Sequence, residues 1–271
     1  MIPDRPPPSP PRPAPAGAGG PDGAVVVVRN LWKRFGEVTA LAGISLEVQQ
    51  GEIQVIMGPS GCGKSVLLKH LVGLLRPDHG EVLVFGRPVH ALPDDELDAL
   101  RIRVGVVFQS GALFDSLSVG ENVAFPLRRH LRLPAEAITR RVAALLAMVE
   151  MAGTETLMPS ALSGGMRKRV GIARALALDP ALILYDEPTS GLDPLTARTV
   201  DDVVRRLRAD LGVTSVVVTH SVDSAFYLAD RLAVMDAGRF TAVGTPQDIL
   251  ASPDPFVRKF LETRTVEVTP R

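Results

Sequence analysis

The stretch Ile53-Gln-Val-Ile-Met-Gly-Pro-Ser-Gly-Cys-Gly-Lys-Ser65 decides the fold. Its first five residues predict a buried β-strand, and residues 64–75 predict a helix with leucines on one face. The residues between them fit the pattern G-x-x-x-x-G-K-[ST], whose glycines let successive backbone N–H groups turn toward phosphate oxygens. The loop reads Gly58-Pro59-Ser60-Gly61-Cys62-Gly63-Lys64-Ser65. Strand, loop and helix together predict a site for a nucleotide phosphate.

Individual residues of this loop have predicted roles. The helix that follows the loop adds the positive end of its dipole to the phosphate site. We expect the Lys64 ammonium to reach the β- and γ-phosphates and the Ser65 hydroxyl to bind Mg²⁺. Cys62 occupies an unconstrained position of the motif, so we interpret it as a small buried residue without a redox role.

A second motif places two carboxylates at the end of a buried strand. Leu182-Ile-Leu-Tyr-Asp-Glu-Pro188 has an apolar run followed by Asp186 and Glu187. In open α/β sheets ligands bind at the carboxyl ends of the strands. We therefore expect Asp186 to hold Mg²⁺ through its water shell and Glu187 to act as the general base toward water. The alternative is that these are two acidic residues without a function at the end of a strand. The presence of the phosphate loop makes this alternative the weaker interpretation.

The remaining pattern indicates an α/β protein. Apolar strands are predicted at 24–29, 44–48, 53–57, 81–85, 181–185 and 213–218, and residues 194–211 predict a helix. Continuous apolar strands between helices favour a parallel sheet covered on both faces. Residues from Asp94 to about Pro159 show mostly helical spacing. We interpret residues 94–178 as a helical subdomain inserted into the α/β core.

Composition limits the alternatives. The 271 residues carry 30 basic and 30 acidic side chains, and this balance argues against nucleic acid as a partner. The single cysteine excludes an intrachain disulfide. No apolar run reaches the roughly 18 residues of a membrane-spanning helix, which predicts a cytoplasmic protein. Residues 1–23 hold 9 of the 23 prolines and are predicted to be a disordered tail, with a PxxP ligand as the alternative.

Further motifs carry a resemblance to a known family. Leu162-Ser-Gly-Gly-Met166 resembles the signature motif of ABC-type ATPases. Other positions follow in that family's order: Gln109 resembles the Q-loop glutamine, Asp193 the D-loop aspartate, His220 the switch histidine and Phe35 the adenine-stacking aromatic. The resemblance covers residues 24–264 and leaves 265–271 as a loose end. It implies a P-loop NTPase of ABC type with a parallel sheet, an N-terminal antiparallel β element and the helical subdomain.

The resemblance also implies how ATP is held. Ser163, Gly164 and Gly165 would face the ATP of the opposite subunit, so two copies would enclose two ATP molecules. Asp193 is assigned to ATP binding as well. Gln109 would be a catalytic residue that binds the Mg²⁺ and links it to the helical subdomain, so that it can report the nucleotide state to a partner. His220 would contact the γ-phosphate and position Glu187, although a lone histidine at a strand end is by default structural.

The sequence departs from the family pattern at several positions. Met166 replaces a common glutamine, and Phe35 replaces a common tyrosine, which keeps stacking without the hydroxyl. Val66 stands where a hydroxyl residue is common, so only its backbone contact to phosphate remains. Trp32 is a second candidate for adenine stacking. Because Lys64 and both carboxylates are present, active hydrolysis is expected.

Finer similarity concerns the transported substrate. The segments 108–127, 157–170 and 253–261 resemble the lipid-trafficking branch, whose ATPases work with a separate membrane permease and mammalian-cell-entry-type substrate-binding proteins. Apolar residues after Gln109 suit a surface for the permease, namely Ala112, Leu113, Phe114 and Phe125. The predicted location is peripheral, at the cytoplasmic face of the inner membrane. The alternatives are an amino-acid or other small-solute importer and, more distantly, an ATPase acting on nucleic acid or ribosomes.

Overall fold

The structure is a computed structural model that describes residues 23–262. The predicted disordered tail, apart from its last residue, lies outside the described residues. The predicted loose end at 265–271 also lies outside them.

An antiparallel sheet opens the described chain. It contains β1 (Ala24–Phe35), β2 (Val38–Gln49), β4 (His79–Val84) and β5 (Arg87–Pro88), in the order β2-β1-β4-β5. The first two strands are longer than predicted because they form a hairpin, in which Phe35 pairs with Val38 across a turn at Gly36. The predicted N-terminal antiparallel element is confirmed.

A six-stranded sheet forms the centre of the molecule. Its strands are β3 (Ile53–Met57), β6 (Val104–Val107), β7 (Leu182–Asp186), β8 (Thr214–Thr219), β9 (Arg231–Asp236) and β10 (Arg239–Gly244), in the order β10-β9-β3-β8-β7-β6. Neighbouring strands are parallel except for the β9–β10 pair at one edge. The predicted α/β class and parallel sheet are therefore confirmed. Because β3, β7 and β8 are adjacent, the segments that follow them meet at one edge.

Nine α-helices connect and cover the sheets within residues 23–262. They are α1 (Lys64–Leu71), α2 (Asp94–Ile102), α3 (Val119–His130), α4 (Ala135–Met148), α5 (Gly164–Ala175), α6 (Pro194–Leu211), α7 (Val222–Leu228), α8 (Pro246–Leu250) and α9 (Pro255–Leu261). Helix α1 is shorter than predicted, because the chain turns at Gly73, where φ is +67°. None of the described helices combines the length and the apolar character needed to span a bilayer.

The mostly helical segment predicted from Asp94 is interrupted by β6. This short strand pairs with β7 in the central sheet, and α2 packs with the antiparallel sheet instead of with α3 and α4. Gly105 lies in β6 where a Cβ atom would come within 2.8 Å of the Ala175 carbonyl oxygen, so the strand touches the end of α5. We therefore propose that the helical subdomain, predicted at residues 94–178, begins after β6.

Two apolar cores lie on opposite faces of the central sheet. Alternation along β3 divides its residues: Ile56 faces the antiparallel sheet, α1 and α2, whereas Val55 and Met57 face the other side. That second core is continuous with the packing of α3, α4 and α5. Helices on both faces explain why the central strands are apolar throughout, as expected for a buried parallel sheet.

Candidate active site

The phosphate loop is compressed between neighbouring backbones. A Cβ atom on Gly58 would lie 2.2 Å from the Met235 carbonyl oxygen, and one on Gly63 would lie 2.4 Å from the Ala40 carbonyl oxygen. Gly63 also has a φ of +112°, which favours glycine. The glycines of the motif are thus required by strands β2 and β9 as well as by a phosphate. Cys62 is buried, and burial raises the pKa of its thiol, which agrees with a packing role.

Lys64 lies folded over this loop. Its Nζ donates hydrogen bonds to the carbonyl oxygens of Gly58 (2.8 Å) and Pro59 (2.9 Å), and only 5% of the residue is exposed. The same Nζ lies 3.6 Å from Glu187 Oε1. Lys64 therefore places a positive charge between the phosphate loop and the carboxylate that follows β7.

Ser65 and Asp186 form the oxygen pair that a magnesium site requires. The Ser65 hydroxyl donates to Asp186 Oδ1 at 2.9 Å. Mg²⁺ prefers oxygen ligands and takes few of them from the protein, keeping water and substrate phosphate for the rest, so these residues fit the ion. Gln109 is placed differently: its Nε2 donates to Ser190 Oγ at 3.3 Å. A direct Gln109–metal contact therefore stays a prediction.

Glu187 is held from several directions. Its φ is +50°, a strained value for a residue other than glycine, and its N–H donates to the Val218 carbonyl oxygen at 2.9 Å. Its Oε2 accepts from the His220 N–H at 3.2 Å and lies 2.8 Å from His220 Nδ1. The histidine side chain is half exposed. His220 therefore contacts the proposed base directly, unlike a structural histidine that is satisfied in a core.

The residues Ser163, Gly164 and Gly165 of the signature motif form a separate edge, the signature edge, in which Ser163 is exposed and Gly165 is buried. Ser163 caps α5 by accepting from the Met166 N–H at 3.3 Å, and Asp193 caps α6 by accepting from the N–H groups of Leu195 and Thr196. A Cβ atom on Gly165 would come within 2.3 Å of the Thr196 methyl group, so the motif packs on the start of α6. Within residues 23–262, no hydrogen bond joins Ser163, Gly164 or Gly165 to the phosphate loop of their own chain.

Phe35 and Trp32 differ in how free their rings are. Phe35 ends β1 with 46% of the residue exposed, and the Lys33 ammonium lies 5.5 Å from its ring. Trp32 is partly buried: its Nε1 donates to Asn30 Oδ1 at 3.0 Å, and the Arg239 guanidinium lies over the ring. Phe35 is therefore the better placed of the two for stacking on adenine.

Val66, which follows the phosphate loop, is partly buried against the core beneath the antiparallel sheet.

Sequence reasoning missed two basic residues of α5. Lys168 donates to the backbone carbonyls of Gln109 and Glu187, and Arg174 donates to those of Gly111 (3.0 Å) and Ala112 (2.8 Å). Burial lowers the pKa of both side chains. The sequence does contain one signal for these residues. Lys168, Gly171 and Arg174 are spaced three residues apart, which places them at neighbouring positions on the surface of one helix.

A buried carboxylate lies behind the site, on α6. Asp201 is 2% exposed, and one of its oxygens has no hydrogen-bond partner. Burial raises its pKa to about 7, against weaker opposing effects of a hydrogen bond with Ser224 and of the Arg198 charge. The hydroxyl oxygen of Ser224 lies 3.3 Å from the hydroxyl oxygen of Thr189. Thr189 follows Glu187 by two residues in the chain. This polar cluster joins α6 and α7 to the segment after β7.

Replacing Asp201 by asparagine should stabilise the protein at alkaline pH. The folded state retains the Asp201 proton up to about pH 7, whereas the unfolded chain loses it near pH 4, so stability falls as pH rises through this window. Asp201→Asn removes that loss. We expect melting temperature at pH 8 to rise by about 5 °C or more, with little change at pH 4. The exposed Asp210→Asn is the control, and equal gains at both pH values would contradict the prediction.

The geometry agrees with comparisons to known proteins. The ABC transporter family matches residues 41–190. The chain is 42% identical over 238 residues to "Intermembrane phospholipid transport system ATP-binding protein MlaF" of Haemophilus influenzae, which covers 88% of this chain and 90% of that protein. It is 40% identical over 246 residues to "Probable ribonucleotide transport ATP-binding protein mkl" of Mycobacterium leprae, which covers 91% of this chain and 71% of that protein.

Solved structures share the fold. One is a dimeric, post-hydrolysis state of the ATP-binding cassette MJ0796 bound to ADP and Pi, with a TM-score of 0.75 and 36% identity over 81% of this chain and 98% of that one. Another is cbiO1 from Clostridium perfringens, described as part of an ABC transporter complex, with a TM-score of 0.79 and 30% identity over 88% and 94% of the two chains.

Proposed function

Because this chain belongs to the ABC transporter family of ATP-binding proteins, we propose that it is the ATP-hydrolysing subunit that drives a separate membrane permease for phospholipid or a related lipid. The proposal that the chain hydrolyses ATP rests on one observation: Glu187 contacts both Lys64 and His220 beside the phosphate loop. A base, a phosphate-binding cation and a group that orients the base are thus assembled in one chain.

Each residue has a defined task in hydrolysis. Lys64 and the N–H groups of the loop bind the phosphates of ATP, whose negative charge also favours the N-terminus of α1. Glu187 accepts a proton from the attacking water, and His220 keeps Glu187 Oε2 in place through its backbone and ring nitrogens. When bound at Ser65 and Asp186, Mg²⁺ would neutralise phosphate charge.

The signature edge favours a dimer. Ser163, Gly164 and Gly165 begin α5, whose N-terminus favours negative charge, yet they make no hydrogen bond to their own phosphate loop in the described chain. A second copy would bring this edge to the opposite ATP, with the exposed Asp193 beside it. Two chains would then enclose two ATP molecules between them.

An aromatic patch supports the permease contact. Phe114 and Phe125 are 44% and 45% exposed, with ring centroids 4.9 Å apart, and Phe108 is also 45% exposed. Phe108 directly precedes Gln109 and the other two follow it in the chain, so a permease segment docked here would sense changes at Gln109. This docking would place the chain peripherally at the cytoplasmic face of the inner membrane.

The substrate is proposed from sequence similarity. The MlaF relatives are named for intermembrane phospholipid transport, and that name supports a lipid substrate. The mammalian-cell-entry-type binding protein in the proposed complex rests on the resemblance of the sequence to the lipid-trafficking branch. The mkl relative is named for ribonucleotide transport, which keeps a small-solute substrate as the second candidate. Nucleic acid is not a proposed partner, since acidic and basic residues balance.

Phe125→Asp should separate ATP binding from permease association. A charge in the aromatic patch is costly to bury against an apolar partner, so we expect the permease to be lost on co-purification in detergent while ATP affinity is retained. Leu74→Asp, at an exposed leucine after α1, is the control. Co-purification of ribosomes or DNA in place of a permease would refute the transport function. A retained permease with Phe125→Asp would refute this docking surface.

The substrate is tested with the purified complex in phospholipid vesicles. We expect ATP-dependent movement of labelled phospholipid, which is absent without ATP. Movement of an amino acid or a ribonucleotide, with no movement of phospholipid, would establish the small-solute alternative.

A further inference from the structure

A buried lysine of α5 links two other segments of the site. Lys168 lies in the second turn of α5, only 5% exposed, and is thus set back from the signature edge that faces ATP. Its Nζ donates to the carbonyl oxygen of Gln109 and, at 3.1 Å, to that of Glu187. The strands before these residues, β6 and β7, are neighbours in the sheet. Lys168 therefore links the segment that follows β6 to the segment that follows β7.

The contacts of Lys168 belong to a closed ring. The Glu187 carbonyl oxygen also accepts from the Ser190 N–H at 3.2 Å, and the Ser190 hydroxyl accepts from the Gln109 side chain at 3.3 Å. Gln109, Lys168, Glu187 and Ser190 are thus joined by four hydrogen bonds. Displacement of any one of them must stretch or break bonds to the others.

Glu187 has a particular need for this support. Its left-handed backbone conformation is unfavourable for glutamate by roughly 1 kcal/mol or more, and such strain persists only where surrounding contacts determine it. The Val218 carbonyl holds the N–H of Glu187, and His220 holds its carboxylate. The charged hydrogen bond from Lys168 holds its carbonyl, and hydrogen bonds to charged groups are the stronger kind.

We propose that Lys168 is a positioning residue for ATP hydrolysis, whose ammonium group fixes the backbones of Gln109 and Glu187 relative to each other. Lys168 touches neither the phosphates nor the attacking water; it acts through Glu187. Lys168 also couples two movements. Because its side chain contacts both segments, a shift of the Q-loop against the permease moves the proposed base, Glu187. This inference rests on the proposed ATPase activity and is independent of the transported substrate.

Lys168→Met tests the proposal in the full chain with its permease. Methionine keeps an unbranched apolar stem but removes every donor. We expect kcat for ATP to fall by about 10- to 100-fold, the size of one lost charged hydrogen bond, with KM for ATP within about twofold of the original. Lys168→Arg keeps charge and donors and should restore most of kcat. Arg167→Met, at the exposed neighbour on α5, should leave both constants unchanged.

A double variant separates positioning from general destabilisation. If Lys168 acts through Glu187, then adding Lys168→Met to Glu187→Gln should lower the residual kcat no further. An additive loss in the double variant, a raised KM with unchanged kcat, or no rescue by arginine would overturn the proposal. Absence of ATP hydrolysis by the unaltered complex would instead refute the proposed function.

Discussion

Glu187→Gln should lower kcat for ATP hydrolysis by about 10²- to 10⁴-fold, the contribution typical of a general base. Glutamine has nearly the same shape, and its carbonyl oxygen can still accept from the His220 N–H. It cannot take a proton from water. Because Lys64 and the phosphate loop are unchanged, ATP affinity should be retained, and the variant should accumulate in its ATP-bound state. The measurement is steady-state phosphate release together with equilibrium binding of ATP.

The exposed Glu37→Gln provides the matched control for this change of charge and should turn over ATP normally. Normal turnover by Glu187→Gln would remove Glu187 from the role of base. Loss of ATP binding by the same variant would instead mean that its ion pair with Lys64 serves to hold the loop.

Lys64→Ala should act at the earlier step, by weakening ATP binding itself. The change removes the cation that lies between the loop and Glu187, and hydrogen bonds to charged groups contribute about 1.5–3 kcal/mol each. We expect the dissociation constant for ATP to rise by about 10- to 100-fold. Lys69→Ala, at an exposed lysine of the same helix, is the control, and titration with a fluorescent ATP analogue is the measurement.

The two substitutions together separate the roles of the ion pair. Binding lost with Lys64→Ala and kept with Glu187→Gln would assign the cation to phosphate and the carboxylate to water. If Lys64→Ala instead bound ATP as tightly as the unaltered chain, the loop would not hold phosphate through its lysine.

Most residues of the site could be predicted from the sequence because they belong to short local motifs. The pattern from Gly58 to Ser65 depends on neighbours in the chain, and the glycines that it requires are also those that the fold requires. Asp186 and Glu187 were found because an apolar strand precedes them. The structure then brings Ser65 to Asp186 and Glu187 to His220, as parallel strands that end at one edge should.

What the sequence missed depends on contacts between distant segments. Lys168 meets Gln109 and Glu187 only after α5 has packed on β6, and an interior lysine resembles a solvated one in a linear pattern. Strand β6 was missed because four residues containing a glycine are too short to show an alternating pattern. The end of α1 at Leu71 is set by the turn at Gly73, which a continuing leucine pattern hides.

The most direct test of the account is the mass of the Glu187→Gln chain in solution, measured by light scattering with and without ATP. Two copies of the chain should enclose ATP between the phosphate loop of one and the Ser163–Gly165 edge of the other. We therefore expect ATP to shift the particle from the 28.9 kDa of one chain to twice that mass, and removal of ATP to reverse the shift. A chain that binds one ATP at saturation and keeps the mass of a monomer would contradict it.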